Sequence, residues 1–334
     1  MRPSFSRDRS EISALERTIA RGGSFFLLGH ENPDGDCLGS MAGLYNLLSG
    51  RGKDVTMAVY EEIPRQFQLA ADSMEEEPGL YSGAADLSSF DAVIALDCSD
   101  RKRLGPASGA VADLDPEETA LINIDHHEDN THFGGINLVV EEAAATGEII
   151  FDLARNWNWT IPLNSARPLA LAMLADTGFF RYSNTDRDVM KKVMELMDIG
   201  VDIYQINRDL YGRKDPRILK LTGRALSSLE LAAEGKIAYM VLRNEDYTRT
   251  GTGPQDREGI VNYARDVEDV EAGLLFSEED SGVKVSFRSN SYLSVNSIAA
   301  EFGGGGHPRA AGCRLEMEIE EAVEKVLAEV KKNV

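Results

Sequence analysis

Cysteine, histidine and tryptophan are scarce in this chain of 334 residues, which has three, five and two of them respectively. The cysteines Cys37, Cys98 and Cys313 are far apart and odd in number, which argues against a disulfide framework. Proteins without such a framework are typical of reducing compartments, so we expect a cytoplasmic protein.

Long apolar runs are missing as well. No stretch approaches the roughly 18 apolar residues that a membrane-spanning helix needs. The first 23 residues have no apolar core of the signal-peptide type. We therefore expect neither membrane insertion nor export.

Positive charge is in deficit, since 35 Lys and Arg residues face 56 Asp and Glu residues, for a formal net charge of −21. A chain this acidic repels long polyanions, which argues against binding to duplex DNA. Small phosphorylated substrates remain compatible if divalent cations reverse the charge locally. The composition therefore favours clustered carboxylates around metal ions.

The first half of the chain alternates apolar strands with helical segments, a pattern that indicates a doubly wound, mainly parallel α/β sheet. Residues 1–187 are expected to form this domain, 188–232 a helical connector, and 233–334 a smaller mixed α/β domain. The strands expected in the first domain are Phe25–Leu28, Asp54–Val59, Ala92–Leu96, Leu121–Ile124 and Ile136–Val140. Further helices are expected near Asp256–Ala264 and Val295–Phe302.

Polar clusters follow several of these apolar segments. The stretch FLLGHENPDGDCLGS places His30, Asp34 and Asp36 directly after a strand. Asp97 ends VIALD, Asp125 to His127 end LINIDHH, and Asp176 ends LAMLAD. The carboxyl ends of parallel strands meet at one edge of a sheet, where ligands bind.

A single aspartate after a strand is usually a turn or helix-capping residue. Four such clusters together favour a metal site instead. Carboxylates crowded into one pocket raise one another's pKa unless cations neutralise them. Oxygen-rich sites with a few imidazoles suit Mn²⁺ or Mg²⁺, and the number of candidate ligands fits two ions.

The blocks His30-x3-Asp34-x-Asp36, Asp97, Asp125-His126-His127 and Asp176-Thr177-Gly178 resemble the successive motifs of the DHH phosphoesterase family. The resemblance implies that one metal ion is held by His30, Asp34 and Asp97. It implies that the second is held by Asp36, Asp97, His126 and Asp176, with Asp97 shared. Mn²⁺ is the expected ion, with Mg²⁺ and Co²⁺ as alternatives.

The same resemblance implies catalytic roles for two residues beside the ligands. Asp125 is expected to orient an imidazole, as the ligands of metal sites usually require. His127 is expected to face the phosphate and to stabilise charge or protonate the leaving oxygen.

A second motif lies near the end of the chain, in the run Gly303 to Gly306 followed by His307. Such a run cannot lie inside a helix, and its N–H groups can form an anion-binding nest. The alternative is a flexible turn between a helix and a strand. The run, together with Arg288 and Ser289, resembles the DHH-associated C-terminal domain, which implies that these residues bind substrate.

The family includes pyrophosphatases, single-strand exonucleases, oligoribonucleases and cyclic-dinucleotide phosphodiesterases. The C-terminal motif disfavours a pyrophosphatase. We expect degradation of short single-stranded oligoribonucleotides to mononucleotides, with 3′-phosphoadenosine 5′-phosphate (pAp) as a second substrate. The alternatives are a phosphodiesterase for cyclic or linear dinucleotides and a non-catalytic nucleotide-binding module. A homodimer is one oligomeric state that the sequence allows.

Overall fold

A computed structural model describes residues 9–81, 83, 85–212 and 215–334, and of His307 it describes the main chain only. The chain forms two compact units, Met1–Arg213 and Lys214–Val334. Residues of the predicted connector, 188–232, contribute helices to both units.

The first unit is built on a parallel sheet with the strand order β3-β2-β1-β4-β5-β6. Its strands are β1 Ser24–Leu28, β2 Asp54–Val59, β3 Gly79–Leu80, β4 Ala92–Leu96, β5 Ala120–Asp125 and β6 Ile136–Val139. Its helices are α1 Arg9–Arg21, α2 Gly35–Ser49, α3 Gln68–Asp72, α4 Ser108–Ala112, α5 Thr146–Asn156, α6 Leu163–Asp176, α7 Arg187–Ile199 and α8 Ile203–Asn207. The predicted α/β class with a parallel sheet is confirmed.

Strand β1 lies at the centre of this sheet and is buried on both faces. Phe25 and Leu27 belong to the core beneath α2, α5 and α6, whereas Phe26 and Leu28 belong to the core on the opposite face. Burial on both faces explains why the strand reads as a continuous apolar run rather than an alternating one.

Helices α2 and α6 pack closely in an antiparallel arrangement because glycines of α2 face α6. A Cβ atom on Gly39 would lie 2.4 Å from the carbonyl oxygen of Pro168. One on Gly35 would lie 2.5 Å from the Cβ atom of Ala175. This contact brings the first turn of α2 next to the last turn of α6, and with them the carboxylates of Asp36 and Asp176.

The second unit is built on a mixed sheet with the strand order β11-β12-β10-β9-β8-β7, in which only β8 and β9 pair in parallel among the described strands. Its strands are β7 Glu230–Ala232, β8 Ile237–Leu242, β9 Ala272–Glu279, β10 Gly282–Ser289, β11 Gly305–His307 and β12 Ala310–Leu315. Its helices are α9 Pro216–Ser227, α10 Asn244–Thr250, α11 Val261–Arg265, α12 Val295–Glu301 and α13 Ile319–Val330.

One element of the second unit differs from expectation. The helix expected near Asp256–Ala264 is a 3₁₀ turn, Pro254–Arg257, followed by the separate short helix α11. The left-handed Gly259, with φ of +75°, separates the two, which explains the break.

Candidate metal centre

Strands β1, β4 and β5 are neighbours in the sheet, so their carboxyl ends bring three of the predicted clusters together. His30 follows β1, Asp97 follows β4, and His126 and His127 follow β5. The side chains of His30 and Asp97 are almost fully buried.

Asp97 lies at the centre of the cluster. Its Oδ2 atom is 3.6 Å from Nε2 of His30, and its Oδ1 atom is 3.7 Å from Nε2 of His126. Oδ1 is also 3.6 Å from Nδ1 of His127. Asp97 has a positive φ of 55°, a conformation that aspartate tolerates better than most residues. One carboxylate therefore faces all three imidazoles.

Two further carboxylates belong to α2. Asp34 caps the helix, and its Oδ1 atom accepts the N–H groups of Asp36 and Cys37 at 3.0 and 3.1 Å. Asp36 is buried and accepts the N–H groups of Thr146 and Gly147, at the start of α5, at 2.6 and 3.0 Å. The positive end of α5 therefore stabilises the Asp36 carboxylate.

Asp176 completes the cluster from the end of α6. Its Oδ2 atom is 3.8 Å from Nε2 of His126, and Oδ2 of Asp36 is 3.6 Å from that same nitrogen. Asp34, Asp36 and Asp176 line one small cavity of about 150 Å³. All six predicted metal ligands therefore lie in one region of the first unit. A larger cavity of about 490 Å³ elsewhere in this unit, lined by Arg65 and Arg167 among others, contains none of them.

The tautomers of two histidines are set by main-chain carbonyls. Nδ1 of His30 is 2.6 Å from the oxygen of Glu31, and Nδ1 of His126 is 3.1 Å from the oxygen of Ala143. A carbonyl only accepts, so each Nδ1 carries a proton, and in the neutral ring each Nε2 directs a lone pair at carboxylates.

The pKa values of Asp176, Asp36 and His126 are shifted because these groups are buried and crowded together. Burial, and then the neighbouring carboxylates, raise the pKa of Asp176 to about 7 and that of Asp36 well above its usual value. Burial alone would lower the pKa of His126, but Asp176, Asp36 and Asp97 raise it to about 9. Without a cation, this cluster would therefore retain protons at neutral pH.

The residues present fit divalent ions. The separations of 3.6–3.8 Å between imidazole nitrogens and carboxylate oxygens are too long for good hydrogen bonds. Imidazole lone pairs and carboxylates that face one another across such gaps repel each other, and a cation bound between them makes the arrangement favourable. Oxygen donors with imidazoles are the set that Mn²⁺ and Mg²⁺ accept.

Asp125 and His127 form a separate pair beside this cluster. Oδ1 of Asp125 is 2.7 Å from Nδ1 of His127, and Oδ2 accepts Nδ2 of Asn130 at 2.6 Å. Asp125 is fully buried. Asp125 therefore fixes the orientation of the His127 ring through Nδ1. The other ring nitrogen, Nε2, takes no part in this contact.

Several residues of the site carry no signal in the sequence. Thr146 donates its hydroxyl to Asp97 at 3.3 Å, in addition to the contact of its N–H group with Asp36. Nδ2 of Asn184 donates to Oδ2 of Asp176 at 3.1 Å. Cys37 lies within reach of His30 and Asp97, but burial raises the pKa of its thiol well above normal, which disfavours a thiolate ligand.

In the second unit, the glycine run that was predicted to bind substrate takes part in hydrogen bonds within the fold. The N–H groups of Gly303 and Gly304 donate to carbonyls of α12 at 3.0 and 2.8 Å, and Gly305 and Gly306 belong to β11. The N–H groups of Gly303 and Gly304 are therefore used at the end of α12 and are not available to the expected anion-binding nest. The side chain of His307 lies outside the described part of the structure.

Arg288 and Ser289 end β10. Ser289 is buried, and its hydroxyl donates to the oxygen of Leu293 at 2.7 Å, so it holds the following loop. Arg288 is partly exposed and directs one Nη1 contact of 2.9 Å to the oxygen of Phe287.

Two family models match the chain: the N-terminal domain of the DHH family over residues 24–177 and the DHHA1 domain over residues 234–334. The bifunctional oligoribonuclease and PAP phosphatase NrnA of Thermus thermophilus is 31% identical over 316 residues, which are 93% of this chain and 90% of that protein. The chain belongs to the DHH phosphoesterase family. As a member, it is a metal-dependent phosphoesterase, which confirms the predicted class of enzyme.

Solved structures agree with this assignment. The exopolyphosphatase-related protein of Bacteroides fragilis matches with a TM-score of 0.91 at 28% identity, over 97% of both chains. RecJ of Thermus thermophilus, solved in complex with Mn²⁺, matches with a TM-score of 0.54 at 16% identity, over 97% of this chain and 54% of RecJ, which shows the fold alone.

A more distant relative is the cyclic-di-AMP phosphodiesterase PdeA of Listeria monocytogenes, 22% identical over 97% of this chain and 50% of that protein. None of the helices in the described part of the chain has the length and apolar character that a membrane span requires.

Proposed function

We propose that this protein hydrolyses short single-stranded oligoribonucleotides to mononucleotides and also dephosphorylates pAp. The observation that carries the proposal is the cluster around Asp97, where His30 and His126 turn Nε2 towards carboxylates beside the Asp125–His127 pair. The similarity to the Thermus thermophilus NrnA, which extends over nearly the full length of both chains, supports the choice of substrate.

The proposed cofactor is a pair of divalent ions, Mn²⁺ in the first place, with Mg²⁺ and Co²⁺ as alternatives. His30, Asp34 and Asp97 would hold one ion, and Asp36, Asp97, His126 and Asp176 the other. Such a pair, when bound, supplies a water of lowered pKa as nucleophile and stabilises charge on the phosphoryl oxygens.

His127 is the proposed acid beside this centre. Burial lowers its pKa, but the contact with Asp125 and the charge of Asp97 outweigh burial and raise the pKa. The ring therefore favours its protonated form, in which Nε2 can donate a hydrogen bond to a phosphate oxygen or a proton to the leaving oxygen.

We propose that successive segments of the chain have different roles. Residues 1–187 carry the catalytic centre, 188–232 connect, and 233–334 bind substrate through Arg288, the glycine run and His307. Three points support this division: the DHHA1 match over 234–334, the partly exposed Arg288, and the glycines that let a ligand approach the main chain. Ser289 is proposed to act indirectly, by bracing the loop that follows Arg288.

Three finer points belong to the same proposal. The protein is cytoplasmic, because its three cysteines are unpaired and buried. It does not use duplex DNA, because its net charge is −21. It is a homodimer, for which the exposed apolar side chains of Met190, Met194 and Met197 on α7 are a candidate contact.

A panel of substrates tests the function. Purified protein with Mn²⁺ is given 5′-phosphorylated RNA of two to five nucleotides, pAp, and cyclic and linear dinucleotides, and products are identified by mass spectrometry. We expect rapid release of mononucleotides from the short RNAs, with cyclic dinucleotides left intact. Preferential opening of a cyclic dinucleotide would replace the proposal by a signalling phosphodiesterase. Binding without turnover in Mn²⁺, Mg²⁺ and Co²⁺ would indicate a non-catalytic module.

A further inference from the structure

One face of the second unit's sheet is only partly covered by helices. Over β8 and β9, this face packs against α9, α10 and α11 through Met240, Leu242 and Leu275. Over β10 and β12, the same face presents polar or small residues that are partly or fully exposed. We call this part the open face and define it as Lys284, Ser286, Arg288, Gly312 and Arg314.

The strand register places these residues side by side. Lys284 lies opposite Arg314 of β12 and opposite Ser277 of β9, and Ser286 lies opposite Gly312. A Cβ atom on Gly312 would come 3.0 Å from Nζ of Lys284, so the lysine side chain extends across the bare main chain of that glycine.

Positive charge exceeds negative charge at this end of the open face. Glu279 accepts Nη2 of Arg257 at 2.8 Å and Nε of Arg314 at 3.2 Å. Lys284 is partly buried beside both arginines and has no ion pair or side-chain hydrogen bond among the residues that the structure describes. Three cations therefore share one carboxylate in a chain whose net charge is −21.

A cluster of buried polar groups lies beside the same cations. The hydroxyl of Tyr247 is close to the hydroxyl of Ser277 and to the guanidinium of Arg257, so these three groups serve one another and leave the ammonium of Lys284 without a side-chain acceptor among the described residues. Burial lowers the pKa of Lys284, and the charges of Arg314 and Arg257 lower it further. An anion bound here would offset the repulsion among the cations and accept their unused protons.

We propose that Lys284, Arg314 and Arg257 form a phosphate subsite that binds a phosphodiester of the RNA other than the one being cleaved. The inference rests on the proposed oligoribonuclease function. Arg288 lies four residues along the same strand, about 13 Å from Lys284 at the usual rise per residue. Two cationic positions in line on one strand suit an extended chain with repeated negative charges better than a single phosphate.

Binding without turnover tests the subsite directly. The affinities of 5′-phosphorylated RNA of two and of five nucleotides are measured in EDTA for the wild type, Lys284→Gln and Arg314→Gln. Lys331→Gln, at an exposed position after α13, is the matched control for loss of one lysine charge. Arg314 is 71% exposed, so its variant carries little risk to folding, and thermal melts verify both variants.

We expect Lys284→Gln to weaken binding of the pentanucleotide by about tenfold, the value of a charge-assisted hydrogen bond, with much less effect on the dinucleotide. The slope of log affinity against log salt should fall by about 0.7, because the variant neutralises one phosphate fewer. Arg314→Gln should act in the same direction, and Lys331→Gln should match the wild type.

Two results would overturn the subsite: equal losses on both RNAs, or no loss on either. A titration with inorganic phosphate at constant ionic strength distinguishes a site for free phosphate from a site for an RNA phosphodiester. If Lys284→Gln weakens phosphate binding but not pentanucleotide binding, the site serves free anions and the inference is wrong. Turnover measured in parallel keeps the two proposals apart, because RNA that binds through Lys284 without being cleaved refutes only the proposed function.

Discussion

Asp97 is the residue on which the candidate centre depends most. It ends β4, is 2% exposed, and is the only described residue whose carboxylate lies within 3.7 Å of imidazole nitrogens from His30, His126 and His127. The imidazoles outweigh burial and lower the pKa of Asp97, so it remains ionised.

We predict that Asp97→Asn removes the carboxylate that both metal ions would share. Asparagine has the same shape and tolerates the positive φ at this position, so the fold should persist. The metal content should fall from two ions per chain to one or none. Turnover should fall by about a thousandfold or more, since metal stabilisation contributes several kcal/mol.

The control for this variant is Asp113→Asn, an exposed position outside the cluster. Metal content is measured by elemental analysis and turnover with an RNA dinucleotide. Asp97→Asn protein that keeps two ions and the rate of Asp113→Asn would refute the shared-carboxylate assignment.

The side chains of the candidate centre could be predicted from the sequence, whereas many of the groups that hold them in place could not. His30, Asp97 and His126 could be predicted because imidazoles and carboxylates directly follow apolar strands. The N–H groups of Thr146 and Gly147 that hold Asp36 have no such signature, because every non-proline residue has an N–H group. Only the packing of α5 against α2 identifies these two.

At the scale of elements, the contact between α2 and α6 sets the distance between Asp36 and Asp176. We predict that Gly39→Ala lowers the free energy of unfolding by about 1–3 kcal/mol, because the new methyl group meets main-chain atoms that cannot move aside. Metal affinity should fall with it.

Gly223→Ala is the matched control, since this helical glycine has no atom within 4 Å of an added Cβ. It should raise stability by up to about 1 kcal/mol through helix propensity alone. Chemical denaturation of both variants measures the difference. Equal effects of the two substitutions would contradict the close contact.

A buried ion network supports the turn before α5. Nζ of Lys192 on α7 is 2.6 Å from Glu148 and 2.5 Å from Asp152, and Glu148 also accepts the N–H group of Ala144 at 2.7 Å. The carbonyl of Ala144 accepts Nδ2 of Asn184, which also contacts Asp176. The network therefore positions a turn that is linked through Asn184 to Asp176, a candidate metal ligand.

We predict that Glu148→Gln costs about 3 kcal/mol of stability, because it leaves the buried Lys192 with one carboxylate partner instead of two. Metal affinity should fall about tenfold through the displaced turn. Glu195→Gln removes an exposed ion pair between the same two helices, with Arg155, and should cost less than about 1 kcal/mol. Thermal melts and metal titrations compare the two, and equal losses would argue against a positioning role.

The loop after Arg288 depends on one carboxylate. Oε1 of Glu271 accepts the N–H groups of Ser291, Tyr292 and Leu293 at 2.7–3.1 Å. Burial would raise the pKa of Glu271, but these hydrogen bonds outweigh it and lower the pKa below the usual value.

We predict that Glu271→Gln lowers stability at pH 7 by about 1–2 kcal/mol, since hydrogen bonds to a charged acceptor are the stronger ones. A lowered pKa in the folded state means that this contribution is present above the unfolded pKa and is lost as pH falls through the folded value. The gap between wild type and variant should therefore close under strongly acidic conditions, below the ordinary pKa of glutamate. Denaturation at a series of pH values measures it, and a constant gap would contradict the account.

The elements also show where prediction from sequence ends. Strand β1 could be predicted because its apolar run is continuous. The run Gly303 to Gly306 could not be assigned, because glycine carries no side chain whose burial would distinguish a strand edge from a nest. The end of α12 decides the conformation of Gly303 and Gly304, and pairing with β12 decides that of Gly305 and Gly306.

At the scale of the whole molecule, a chain with a net charge of −21 is proposed to bind a polyanion. Local charge resolves the contradiction. In the first unit, the carboxylates gathered around Asp97 are the proposed site for cations, and in the second unit Lys284, Arg257 and Arg314 outnumber Glu279. Binding should therefore favour short strands, because a long strand would extend over acidic surface.

The most direct test of the central claim is the turnover of a 5′-phosphorylated RNA dinucleotide by metal-stripped protein as Mn²⁺ is added back. We predict no mononucleotide in EDTA, and a rate that rises and saturates when two ions per chain are bound. Cleavage by the stripped protein at the metal-loaded rate would contradict a metal centre around Asp97.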